Sequence, residues 1–160
     1  MSNAKFFLEN VIKQASLNPK NIVFPEATEK RVLEAAKIIL KRQISTITLI
    51  GNEKDIHPAA EKAGLDLNNV RIIDPVTSPN FEKYVTTYFK LRQHKNITMG
   101  EANEVVKKPI FFGTLMVNMG DADGLVSGAA HSTAATIKPA LQIIKTKPDV
   151  SKVSSVFFMV

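Results

Sequence analysis

Three groups of residues in this chain have types and spacing that could do chemistry. Arg92 falls between Val85 and Tyr88 on the apolar face of a helix traced by Phe81, Tyr84, Val85, Tyr88 and Leu91, at about 100° per residue. A guanidinium aimed inward needs a partner, either a buried carboxylate in a salt bridge or an external anion such as phosphate, gripped by its fork of donors. Residues 121–133, DADGLVSGAAHST, pass from a short strand through small residues into a helix. Beyond the carboxyl ends of parallel strands, backbone N–H groups and a helix N-terminus can face an anion; Gly128 allows close approach, Ser127, Ser132 and Thr133 add hydroxyls, and His131 adds a titratable ring. The alternative is a tight turn in which Ser132 or Thr133 caps a helix and His131 lies on the surface. The glycine spacing matches neither a dinucleotide fingerprint nor a P-loop. Lys138 follows shortly after. Pro139 beside it kinks a helix that begins near Thr133, or stands in the first turn of one that begins later, and both place Lys138 near the loop as a surface lysine or as a charge over the site.

These residues must be held by strands and helices in alternation. Residues 21–24, 46–50 and 70–73 read as short buried strands closed by Pro25, Gly51-Asn52 and Asp74-Pro75. Between them lie an amphipathic helix carrying Val32, Leu33, Ala36, Ile39 and Leu40, with Thr28 as its expected N-cap, and a second helix over 53–63. Strands joined by helical crossovers imply βαβ units and a largely parallel sheet covered on both faces, an α/β fold of three layers, αβα. Two helices follow in the middle of the chain, the second announced by the Thr98-x-x-Glu101 capping pattern. Residues 111–119 form a helix apolar nearly all round with Gly120 after it, 122–127 a strand, a helical stretch runs on to Ile144, and 153–160 read as a final apolar strand. The organisation expected is an N-terminal α/β domain over 1–150, with 151–160 as the first strand leading towards a second domain that is not in this chain.

Composition narrows the partners. Of 160 residues, 44% are hydrophobic and 22% charged, which excludes disorder, and a net charge of +6 favours anionic partners. Basic residues are dispersed and aromatic residues fall at core spacing, so no nucleic-acid partner is expected. Without cysteine there is no disulfide, thiolate metal site or cysteine nucleophile, and His57, His94 and His131 lack zinc-ligand spacing, so no metal is expected. The N-terminal apolar residues are interrupted by Lys5, Glu9 and Lys13, and the apolar run 110–119 is too short to span a bilayer, so the expectation is a cytoplasmic protein with no membrane partner.

DADGLVSGAAHST, followed by PALQIIKTKP at 139–148, resembles the signature of the phosphate acetyltransferase (phosphotransacetylase) family. Pro25-Glu26 with RVLEAA at 31–36, LIGNE at 49–53, RIIDP at 71–75, LRQHKNIT at 91–98 and VSSVFFM at 153–159 resemble further blocks of it. The resemblance implies reversible acetyl transfer between acetyl-CoA and acetyl phosphate, with coenzyme A and phosphate as substrates, no required cofactor, and a homodimer at full length. It implies one domain of the isocitrate/isopropylmalate dehydrogenase-like fold. By resemblance, Arg92 takes part in CoA binding, and Ser127, Gly128, His131, Ser132 and Thr133 contact phosphate or acetyl phosphate. Lys138 stands where the family commonly has arginine, and Ala135 where it commonly has an acidic residue. The family's catalytic serine, arginine and aspartate belong to a later region, so no catalytic residue is expected here and the chain alone is expected to be inactive. Phosphate butyryltransferases, and a non-catalytic domain that binds CoA or acetyl phosphate, are the alternatives.

Overall fold

Short runs of β-branched and aliphatic residues punctuated by Pro25, Gly51 and Asp74 become parallel strands because each is followed by a helix long enough to return the chain to the same edge. The computed structural model describes residues 3–156. In order, these form α1 (Asn3–Leu17), β1 (Asn21–Phe24), α2 (Lys30–Lys41), β2 (Thr46–Ile50), α3 (Glu53–Ala63), β3 (Val70–Ile73), α4 (Phe81–Arg92), a 3₁₀ turn (Gln93–Lys95), α5 (Met99–Val106), α6 (Pro109–Asn118), β4 (Gly124–Leu125) and α7 (Thr133–Ile143). The sheet is wholly parallel with strand order β3-β2-β1-β4.

Alternation along the strands builds the three layers. Phe24, Ile47 and Leu49 pack with Leu33 and Ala36 of α2 and Ile56 and Ala60 of α3 on one face. Val23 and Ile50 point the other way, into a core made with α4, α5, α6 and Ile143 of α7. The chain therefore winds from β1 through β2 to β3 with α2 and α3 on one face, then crosses the opposite face through α4–α6 to place β4 on the other side of β1. The strand order reverses between β1 and β4, and at such a switch point the loops beyond the carboxyl ends diverge and leave a crevice.

Local chemistry sets most element ends. The Thr98 hydroxyl accepts from the Glu101 N–H while the Glu101 carboxylate accepts from the Thr98 N–H, completing the capping box that starts α5. Thr98→Ala is expected to cost about 1 kcal/mol, read as a lowered urea midpoint with unchanged slope. Three expectations change, and the alternative left open at Pro139 is decided. The α2 helix is preceded by Glu29, not Thr28, and has no side-chain cap. The strand expected over 122–127 is reduced to Gly124–Leu125, because pairing with β1 extends only to Ile22 and Val23. The α7 helix starts at Thr133, so Pro139 lies in its interior, where it has no N–H to give the Ala135 carbonyl. Of the expected terminal strand, residues 151–156 have no regular structure and 157–160 lie outside the described residues.

Candidate functional site

The β1–β4 crevice brings together residues a hundred positions apart. Pro25-Glu26 leaves the end of β1, and residues 126–132 leave the end of β4 towards α7. The Glu26 carboxylate, its side chain only 2% exposed, lies under the second loop. One oxygen accepts from the N–H groups of Gly128 (3.0 Å) and Ala129 (2.9 Å), and the other from those of Ala130 and His131 (2.7 Å each). The second oxygen also lies 2.7 Å from His131 Nδ1. Burial pushes the Glu26 carboxyl up, but the N–H groups of Ala130, Ala129 and His131, together with the His131 ring, outweigh it and hold the carboxyl down at about 2. On the opposite side of the loop, the Arg31 guanidinium donates to the Ala129 carbonyl.

This corrects the reading of the loop as backbone open to an external anion. Residues 128–131 do form an anion nest, but the anion is the chain's own carboxylate. Glu26 gave no signal at the level of local spacing, beyond being an acidic residue at the carboxyl end of a buried strand.

What the loop presents outward is its side chains. His131, Ala134, Ala135 and Lys138 line a cavity of about 470 Å³ together with Lys108, Pro109 and Phe111 at the start of α6. Two lysines and an imidazole, with no acidic residue among its lining, make this cavity suited to a phosphate-bearing ligand resting on an apolar floor. Lys108, beside Pro109, is the second residue sequence reasoning missed. His131 also borders a second cavity, of about 430 Å³, with Glu26, Thr28 and Asn52. Ser132 spends its hydroxyl capping α7 by accepting from the Ala135 N–H. Thr133 is exposed beside Lys138. The Ser127 hydroxyl oxygen is buried without a protein partner, as is that of Thr136 one turn into α7.

Arg92 lies apart from this group. It ends α4, half-buried, with Nε sealed from solvent and without a protein partner. Among the described residues no carboxylate lies within ion-pair distance of it, so the buried salt bridge is not formed. Its neighbour is Tyr88, whose hydroxyl donates to Gln142 of α7 at 2.8 Å; burial pushes that hydroxyl up and the Arg92 charge draws it back. No hydrogen bond or ion pair among the described residues joins Arg92 to the loop. A separate cavity of about 640 Å³ along β3, lined by Arg71, Asp74, Asn80, Tyr84 and Asp121, contains none of the candidate substrate-binding residues. No described helix is long and apolar enough to cross a membrane, and no described His, Asp or Glu cluster could hold a metal.

The chain is 48% identical over 152 residues to a phosphate acetyltransferase of Thermoanaerobacterium thermosaccharolyticum, covering 95% of this chain and 46% of that protein. It is 46% identical over 155 residues to the phosphate acetyltransferase of Nitratidesulfovibrio vulgaris, covering 97% of this chain and 22% of that longer protein. A solved phosphotransacetylase of Staphylococcus aureus superposes with a TM-score of 0.86 at 42% identity, over 97% of this chain and 47% of that one. One from Streptococcus pyogenes gives the same TM-score at 34% identity, over 95% of this chain and 46% of that one. The chain thus spans about half the length, or less, of the relatives it matches. With the family's sequence profile matching residues 6–160, the chain belongs to the phosphate acetyl/butaryl transferase family.

Proposed function

We propose that this chain is the N-terminal part of a phosphate acetyltransferase, which interconverts acetyl-CoA and phosphate with acetyl phosphate and CoA, and that it supplies phosphate-binding surface rather than the catalytic groups. The carrying observation is the cavity where His131, Lys138 and Lys108 converge without an opposing carboxylate. All the ligands of this reaction are anions, and a cationic, partly apolar cleft suits both a phosphate and the stem of CoA. Acetyl rather than butyryl transfer is favoured because the curated relatives it matches at up to 48% identity are phosphate acetyltransferases. Attack of a thiolate on acetyl phosphate needs a base and donors to the developing oxyanion; these come from the later region, and the full-length protein is a cytoplasmic homodimer. Within this chain Ser127, Gly128, His131, Ser132, Thr133 and Lys138 shape the phosphate end. Arg92, a half-buried cation without a carboxylate partner, serves the CoA end.

Calorimetry of this chain with CoA and with acetyl phosphate, beside an assay of acetyl phosphate formation, tests the proposal. Binding without turnover is expected, and robust turnover would overturn the placing of the catalytic groups elsewhere. Arg92→Ala is expected to weaken CoA binding about tenfold, the worth of one charge-assisted contact. Unchanged CoA affinity with a large loss of stability would return Arg92 to a purely structural role.

A further inference from the structure

The Glu26 carboxylate joins the loop after β1 to the loop after β4 at the point where ligands enter parallel sheets, and it consumes the backbone donors that would otherwise meet them. We propose that Glu26 is a positioning residue: it fills the nest of residues 128–131 from within and holds the His131 proton on Nδ1, so that an incoming phosphate meets the donating Lys138 and Lys108 ammonium groups, and a His131 Nε2 that accepts from a phosphate hydroxyl, instead of the backbone. The second half of that statement rests on the phosphate-binding reading above. The first half does not.

The geometry forces the proton's position. Five nitrogens surround the carboxylate at 2.7–3.0 Å, and four of them are backbone N–H groups that can only donate. A carboxyl held at about 2 is ionised near neutrality and can only accept. The fifth nitrogen, His131 Nδ1, must therefore also donate, and a neutral ring then has its lone pair on Nε2. His131 is thereby fixed both in orientation and in tautomer; among the described residues Nε2 has no protein partner, and the ring borders the cavity that Lys138 and Lys108 also line. The same carboxylate fixes the path of 128–131, and with it the start of α7 that carries Lys138.

The test is nitrogen-15 NMR of this chain with labelled histidine, at a pH where the ring is neutral. The unsubstituted chain is expected to show His131 protonated on Nδ1, with the 128–131 amides protected from exchange. Glu26→Ala is expected to move the proton towards Nε2, expose those amides, and weaken inorganic phosphate binding about tenfold. Glu26→Gln, which keeps one accepting oxygen, is expected to restore the tautomer in part but leave Gly128 and Ala129 unprotected. An Nε2-protonated ring in the unsubstituted chain, or an Nδ1-protonated ring in Glu26→Ala, overturns the proposal; should Glu26→Ala fail to fold, the unsubstituted and Gln spectra decide it. Inorganic phosphate titrated into the unsubstituted chain is expected to shift His131 Nε2 and the two lysines while the 128–131 amides keep their Glu26-bound positions. Phosphate that displaces Glu26 from those amides overturns the filled nest. If no resonance responds to phosphate while the tautomer is as described, the phosphate-binding reading falls and Glu26 keeps its place.

Discussion

Lowering the pH from 4.5 to 2 is expected to remove about 3 kcal/mol of stability through Glu26 alone. The carboxyl is held at about 2 in the folded chain against 4.5 when unfolded. A depressed folded value means the contribution is complete well above pH 4.5 and is lost as the pH falls through 2; about 2.5 units at about 1.4 kcal/mol each is between about 3 and 4 kcal/mol in all, most of it lost between pH 4.5 and 2. The group is buried, so solvent screening takes little of it. Urea titrations at successive pH values would show a midpoint falling by about 1.5 M across that window. Other carboxylates add their own acid dependence: Glu101 is held low by the Thr98 N–H and hydroxyl, though at the surface. The difference between the unsubstituted chain and Glu26→Gln isolates the buried group. The Gln chain should be less stable near neutrality by a similar amount and should lack this part of the acid transition, because its amide never ionises. Parallel pH curves for the two chains would show that Glu26 is not the linked group.

The same carboxylate explains where the sequence was legible and where it was not. The first three strands and the helix over 53–63 fall where the sequence placed them, because each is fixed by neighbours in sequence: a β-branched run, then Pro, Gly-Asn or Asp-Pro. The Thr98–Glu101 box was readable for the same reason. The contacts that define the site span 102–105 positions, and no local spacing encodes that a residue after β1 will occupy the loop after β4. The loop itself was found because its small residues and hydroxyls are contiguous, but its donors were assigned to an external anion when an internal one was available. Arg92 shows a choice that periodicity left open. Helical periodicity placed it correctly on the inner face of α4, whereas the carboxylate that a buried guanidinium would call for is not there. β4 is shortened because its pairing with β1 reaches only Ile22 and Val23, a limit invisible in residues 122–127.

Gly113→Val is expected to destabilise the chain by about 3 kcal/mol or more, although glycine is the poorest helix former in α6 after proline. Gly113 is buried where α6 crosses the centre of the sheet; a Cβ there would lie 2.9 Å from Val23 Cγ1, 2.9 Å from Leu125 Cδ1 and 3.0 Å from Ile50 Cδ1. These atoms come from β1, β4 and β2, so no single side chain can yield and relieve the clash. Val23 is both fully buried and stiff at χ1. Alanine alone would gain about 1 kcal/mol of helix propensity but lose more than that to overpacking, leaving Gly113→Ala about 1 kcal/mol less stable. Valine adds two methyls to the same contact and has no such offset. Denaturant unfolding of both variants checks the order, and a Gly113→Ala chain more stable than its parent would show that the layers can part at little cost. The effect would also reach the site. The α6 helix begins with Pro109, next to Lys108 in the cationic cavity, while Val23 and Leu125 lie just before Glu26 and Ser127. A helix pushed off the sheet by a side chain at 113 therefore moves Lys108 away from His131 and Lys138. Phosphate affinity should fall in step with stability across the Gly113 series, even though Gly113 lines neither cavity beside His131.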